Sequence, residues 1–205
     1  FFTSNMSLPF PFSRTCDILS ASEVIPMALD RALLEQQMAQ LPIVQYEFFS
    51  TSQLVFSEKV RHICETECAQ YGKSWACPPA VGPVDACRAH CLSYPHALLI
   101  TSLSEVTDIE NLETTLATRE EHEELTRQVK ALFSAQGVET FVLSTESCAI
   151  CEHCAYPGGP CRFPDRMFPC VESQGILVTD LAEKFHINFQ AGGNLVTWFS
   201  LILYR

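Results

Sequence analysis

Apolar residues recur along this chain with two different periods. In PMALDRALLEQQMAQL, residues 26–41, Met27, Leu34, Met38 and Leu41 fall on one face at helical spacing, which predicts a helix. Pro26 suits its first position and Pro42 stops it. The two methionines read as core filling. IVQYEFFS and QLVFS, within residues 43–57, are rich in β-branched and aromatic residues and predict strands. HALLITSL (96–103) reads as a short buried strand and VETFVLS (138–144) as another. LVTWFSLILY (195–204) is apolar on both faces, the pattern of a central strand.

Between these runs the period is helical. In residues 105–135, Ile109, Leu112 and Leu116 share one side. Leu125, Val129, Leu132 and Phe133 lie about half a turn out of phase with them at ~100° per residue. That mismatch predicts two helices, or one broken near 117–121, with Gly137 capping the end. Eight Asp or Glu between 105 and 124 read as a solvated face. VTDLAEKF (178–185) predicts a short helix with Thr179 as N-cap, and AGGN (191–194) a turn. Strands and helices are interspersed without a repeat. The expected architecture is one α/β or α+β domain with a mixed sheet, over residues 21–205, preceded by a poorly structured segment at 1–20.

The composition narrows the classes of function. The chain has 205 residues, 47% of them apolar and 18% charged, so it should fold to a globule. The formal charge of −11 argues against a nucleic-acid binder and suits docking to a basic protein surface. The longest apolar run has about half the length a bilayer needs, so no membrane span is expected. The first residues lack a basic n-region and contain prolines, so an export signal is not expected and a cytoplasmic location is.

Eleven cysteines change the picture most, because nine of them fall in two compact groups. In CAICEHCAYPGGPCR, Cys148, Cys151 and Cys154 repeat at intervals of three, and Cys161 follows after the turn YPGGP. Three thiolates so closely spaced wrap a small object. A single tetrahedral ion fits them awkwardly, whereas a cubane cluster offers each an iron. His153 is a spacer within this motif. Arg162 reads either as a surface charge or as a partner for the cluster's sulfurs. The first group, CETECAQYGKSWACPPAVGPVDACRAHC, places Cys64 and Cys68 four apart, able to share a helical face. Gly72 marks a tight turn before Cys77, whose Cys-Pro step resembles the close of a ferredoxin motif. Cys87 and Cys91 are again four apart, so five thiols compete for a four-thiol site. Trp75 reads as core. Cys170 and Cys16 are left outside the sites.

VRHICETECAQYGKSWACPPAVGP, CAICEHCAYPGGPCRFP, VESQGILV and GGNLVTWFSLIL together resemble the DUF2284 family of cysteine-rich, predicted metal-binding proteins of anaerobes. The resemblance covers about residues 54–204. It departs from the family at Cys170, where members tend to carry a small residue, and at Asn194, Leu195 and Trp198 to Ser200. It implies metal binding and no established reaction.

The expectation is therefore an iron–sulfur protein with one or two [4Fe–4S] clusters, held by Cys64, Cys68, Cys77, Cys87 and Cys91 and by Cys148, Cys151, Cys154 and Cys161, that passes electrons to a redox partner protein. Two alternatives use the same thiols. One is a zinc-stabilised binding module. The other is an enzyme, or a metal or sulfur carrier, with an incompletely ligated cluster. No Ser/His/Asp set, phosphate loop or dinucleotide glycine fingerprint names a reaction.

Overall fold

The structure, a computed structural model, describes residues 29–188 and 192–205. The expectations for residues 1–20, for Pro26 and Met27, and for Cys16 lie outside the described residues. The fold is α+β. Four strands, β1 (Gln45–Ser50), β2 (His96–Glu105), β3 (Thr140–Leu143) and β4 (Leu195–Tyr204), form a sheet in the order β1-β2-β4-β3. All three pairings are antiparallel, so the sheet is not the expected mixed one. Among the described residues, parallel pairing occurs at a single bridge, Ser144 with Cys170, just beyond the end of β3.

The strand pleat explains the sequence pattern. Side chains alternate between faces, and on β2 Ala97 and Leu99 enter one core while Leu98 and Ile100 enter another. On β4 the same split separates Leu201 and Leu203 from Ile202. LVTWFSLILY is therefore apolar on both sides because it is central, flanked by β2 and β3 and covered on both faces. The second core is closed by α1 (Arg31–Met38), through Leu34 and Met38, and by α5 (Arg119–Ala135), through Leu125, Val129 and Phe133. The first core is closed by Leu54, by Cys91 of α3 (Val84–Leu92), and by Val171, Ile176 and Leu181, the last on α6 (Val178–Lys184).

Several local expectations shift by what competes for the residues. QLVFS is not a strand. Leu54 is drawn into the first core, Phe56 pairs with Ile176 at one bridge, and the Ser57 side chain instead caps α2 (Glu58–Thr66). The helical region between β2 and β3 breaks at Thr118, between α4 (Leu112–Ala117) and α5. Trp198 Nε1 of β4 donates to Thr118 Oγ1 at 2.9 Å and pins that break to the sheet. Gly137 follows α5 with φ +71°, the left-handed conformation a glycine adopts freely. Thr179 lies inside α6 rather than capping it, because Leu177 occupies the cap position. Among the acids, Glu123 is buried and pairs with buried Arg119 and half-buried Arg127, so that face is not wholly solvated.

Candidate metal centres

Eight of the described cysteines line two cavities beside the segment that leaves the C-terminal end of β3. There the chain leaves the sheet through Ser144–Ser147 and enters the CAICEHC loop. Val171 N donates to Ser144 O, and Ser144 N donates to Pro169 O, which brings the segment around Cys170 alongside.

Cys148, Cys151, Cys154 and Cys161 line one small cavity of about 20 Å³. Trp75, Ile150, Phe163 and Met167 form much of its remaining wall. The loop is held from within. Tyr156 N–H points to Cys154 Sγ at 3.5 Å, and Gly159 N donates to Ala155 O at 2.8 Å. Trp75 Nε1 donates to Gly159 O at 3.0 Å and packs edge-on against Tyr156, so the YPGGP turn that delivers Cys161 is tied to the first cysteine group. His153 is exposed, and its carbonyl accepts from Arg162 Nη1 at 2.7 Å. Arg162 therefore braces the loop, and its side chain also borders the cavity.

The other centre differs from expectation in membership. Cys64, Cys68, Cys77 and Cys170 line a larger cavity of about 250 Å³, together with Ile63, Tyr71, Pro78, Glu146, Ser147 and Glu172. Cys64 projects from α2, but that helix ends at Thr66. Cys68 lies beyond it in irregular backbone, so the two do not share a helical face. Gly72, with φ +69°, donates to Pro78 O at 2.8 Å and turns the chain so that Cys77 comes back to the cavity. Cys170 arrives from the far side. Its backbone N donates to Ala76 O at 3.1 Å, and its Sγ lies 2.8 Å from Glu172 Oε2.

Cys87 and Cys91 go elsewhere. Both sit on the buried side of α3. Cys87 borders a separate depression with Val81 and His90, donates to Val81 O at 3.3 Å and lies 3.8 Å from Arg61 Nη2. Cys91 is fully buried among the apolar residues of the first core. The i, i+4 spacing of the pair is also the amphipathic period of α3. Cys170, which the sequence reading left outside the sites, lines the cavity with Cys64, Cys68 and Cys77. Its local signal was faint, a lone thiol in FPCVES, and the Ser144–Cys170 bridge and the Cys170 N to Ala76 O hydrogen bond bring it to the cavity.

Burial sets the electrostatics. It pushes the Cys64 thiol up to about 11, with Cys68 adding to the rise. It also raises Cys77 and Cys148, and Cys170 well above the ordinary thiol range. Thiolates are disfavoured in both cavities by desolvation unless a cation compensates them, which is the condition a metal centre meets. Each cavity also has a buried arginine beside it. Arg61 donates to Gly82 O at 2.7 Å and to Ser173 O. Arg119 donates to Ser147 O, the residue before Cys148. Two all-thiol sets in confined, partly apolar walls with a cationic neighbour fit a sulfur-ligated metal group. Among the described residues, no three His, Cys, Asp or Glu form a group placed to hold one ion, so the thiols stand around spaces rather than converging on points. No helix among the described residues is long and apolar enough to cross a membrane.

Residues 47–204 match the family model described as "Predicted metal-binding protein (DUF2284)", and the chain belongs to that family. No curated protein and no solved structure matches it at a significant level.

Proposed function

We propose that this metal-binding protein is an iron–sulfur protein, with [4Fe–4S] clusters held by Cys148, Cys151, Cys154 and Cys161 and by Cys64, Cys68, Cys77 and Cys170, and that it transfers electrons. The observation that carries the reading is the convergence of the four thiols of CAICEHCAYPGGPCR on one small cavity. A zinc ion draws four sulfurs to about 2.3 Å from one point, and close-spaced C-x-x-C-x-x-C ligands crowd it. A cubane spreads its thiolates over separate irons, so ligands that line a wall suit it.

When bound, such a cluster supplies one-electron exchange. The chain's own groups tune it. The Tyr156 N–H aimed at Cys154 Sγ and the cations Arg61 and Arg119 favour the more negative, reduced state. Trp75, Ile150, Phe163 and Met167 give the second set a partly apolar wall. The first cavity is the wider, and exposed Ile63 and Tyr71 stand at its rim, with Glu146 in its lining and the acids Glu65 and Glu67 nearby in the chain. A redox partner with a basic docking surface fits that rim, and a cytoplasmic setting, where thiols stay reduced, fits the free cysteines.

Protein purified without oxygen should be brown, contain iron and acid-labile sulfide, and bleach with dithionite. Colourless protein with stoichiometric zinc and no sulfide refutes the proposal in favour of a zinc-stabilised module.

A further inference from the structure

The two thiol sets share a wall one residue layer thick. Ser147 lines the first cavity and the next residue, Cys148, lines the second. Trp75 lines the second cavity, and Cys77, two residues on, lines the first. These two short segments are clasped to each other. Ser74 Oγ and Ser147 Oγ lie 3.1 Å apart, both buried. Cys170 N–H holds Ala76 O at 3.1 Å on one side, and Trp75 Nε1 holds Gly159 O at 3.0 Å on the other. Consecutive Cα atoms are about 3.8 Å apart, so ligands of one set stand within one or two residues of the wall of the other. Ser74, Ala76, Cys77 and Ser147 of the wall are buried and Trp75 and Cys148 half-buried; the wall is hydrogen-bonded on both sides, and part of it is Trp75.

Resting on the iron–sulfur reading above, we infer that the two centres form an electronically coupled pair, with the Trp75–Cys77 and Ser147–Cys148 segments as the shared wall through which one electron passes between them. One centre loses one electron and the other gains it. No bond is made or broken and no proton moves within the pair. The electrons enter from a one-electron donor, for which dithionite serves as the chemical substitute. A pair so arranged accepts two electrons in separate steps, and the charge of the first opposes entry of the second.

The test uses the anaerobically purified full chain. It is titrated with dithionite and followed by low-temperature EPR spectroscopy at two microwave frequencies, with iron and sulfide counted beforehand. At low reduction the spectrum should be that of a single paramagnetic centre. At full reduction it should broaden and split through magnetic interaction between two centres, with fast spin relaxation. The double substitutions C151A/C154A and C64A/C68A should each halve iron and sulfide and restore a simple, unsplit signal at full reduction. Should either variant fail to fold by circular dichroism, the wild-type spectrum at low reduction is the single-centre reference. A fully reduced spectrum equal to the sum of two independent signals overturns the inference. So does a count of one cluster per chain, which leaves the iron–sulfur reading standing. Absence of iron and sulfide overturns both and is visible before any spectrum is taken.

Discussion

His122 of α5 is fully buried against the sheet, and its surroundings predict how stability responds to acid. Its Nδ1 lies 2.7 Å from Ser102 Oγ on β2, and its Nε2 lies 2.9 Å from Ser200 Oγ on β4. Ser200 donates to Ser144 Oγ at 3.2 Å, so it accepts from Nε2–H, and Ser102 donates to Nδ1. That network holds a neutral imidazole. Burial lowers its pKa from 6.5 to about 4. The folded state thus binds the proton less readily than the unfolded chain does. Above about pH 6.5 both states are neutral at this site and it costs nothing. As the pH falls from 6.5 toward 4, the unfolded chain takes up the proton first and stability declines by about 1.4 kcal/mol per pH unit. The interval from 6.5 to about 4 sets a ceiling of about 3 kcal/mol. Urea unfolding of wild type and His122→Gln, whose amide can donate to Ser200 and accept from Ser102, measures it. Between pH 7 and 4.5 the wild type should lose about 2–3 kcal/mol more than the variant. Acid loss of metal is common to both proteins and cancels in the comparison. A His122 resonance titrating near 6.5, or equal pH slopes for the two proteins, refutes the reasoning.

Other consequences follow from placement. Cys170→Ser should remove about four irons per chain, whereas Cys87→Ser and Cys91→Ser should retain full iron and sulfide, measured on anaerobic protein. Gly175→Ala should destabilise by about 1–3 kcal/mol, because φ is +80° and the new Cβ would meet Val84 Cγ1 at 2.9 Å; since Gly175 ends the 3-10 turn Glu172–Gln174 beside Cys170, iron at the first centre should fall as well, read by urea unfolding and metal analysis. Phe133→Ala should cost about 3–5 kcal/mol in urea unfolding while leaving the iron count intact, because Phe133 is wholly buried on the core face of α5 and lines neither cavity.

Local pattern carried much of this protein. The amphipathic period of LLEQQM, the apolar run of HALLITSL and the two-sided run of LVTWFSLILY each state how a segment must bury itself, and the sheet places them so. The second thiol set was legible for the same reason. Its four ligands lie within fifteen residues, and C-x-x-C-x-x-C with a glycine turn constrains the loop before any other element packs on it.

The first set was legible only in part. Cys64, Cys68 and Cys77 are near neighbours in the chain, and Gly72 signals the turn that joins them. The choice among Cys87, Cys91 and Cys170 was not local. Spacing at i, i+4 makes Cys87 and Cys91 look like paired ligands, yet the same spacing is the buried stripe of α3, and only the docking of that helix distinguishes the two. Cys170 lies about a hundred residues from its companions and reaches them through backbone pairing with Ser144 and Ala76. Such pairing depends on how β3 leaves the sheet and on the long-range closure of the chain. Chelating spacing along the chain thus pointed to thiols that would gather in space. Tertiary packing decided which distant thiol lines the first cavity, and set the two thiol-lined cavities side by side, because contacts between residues far apart in sequence leave no period in it.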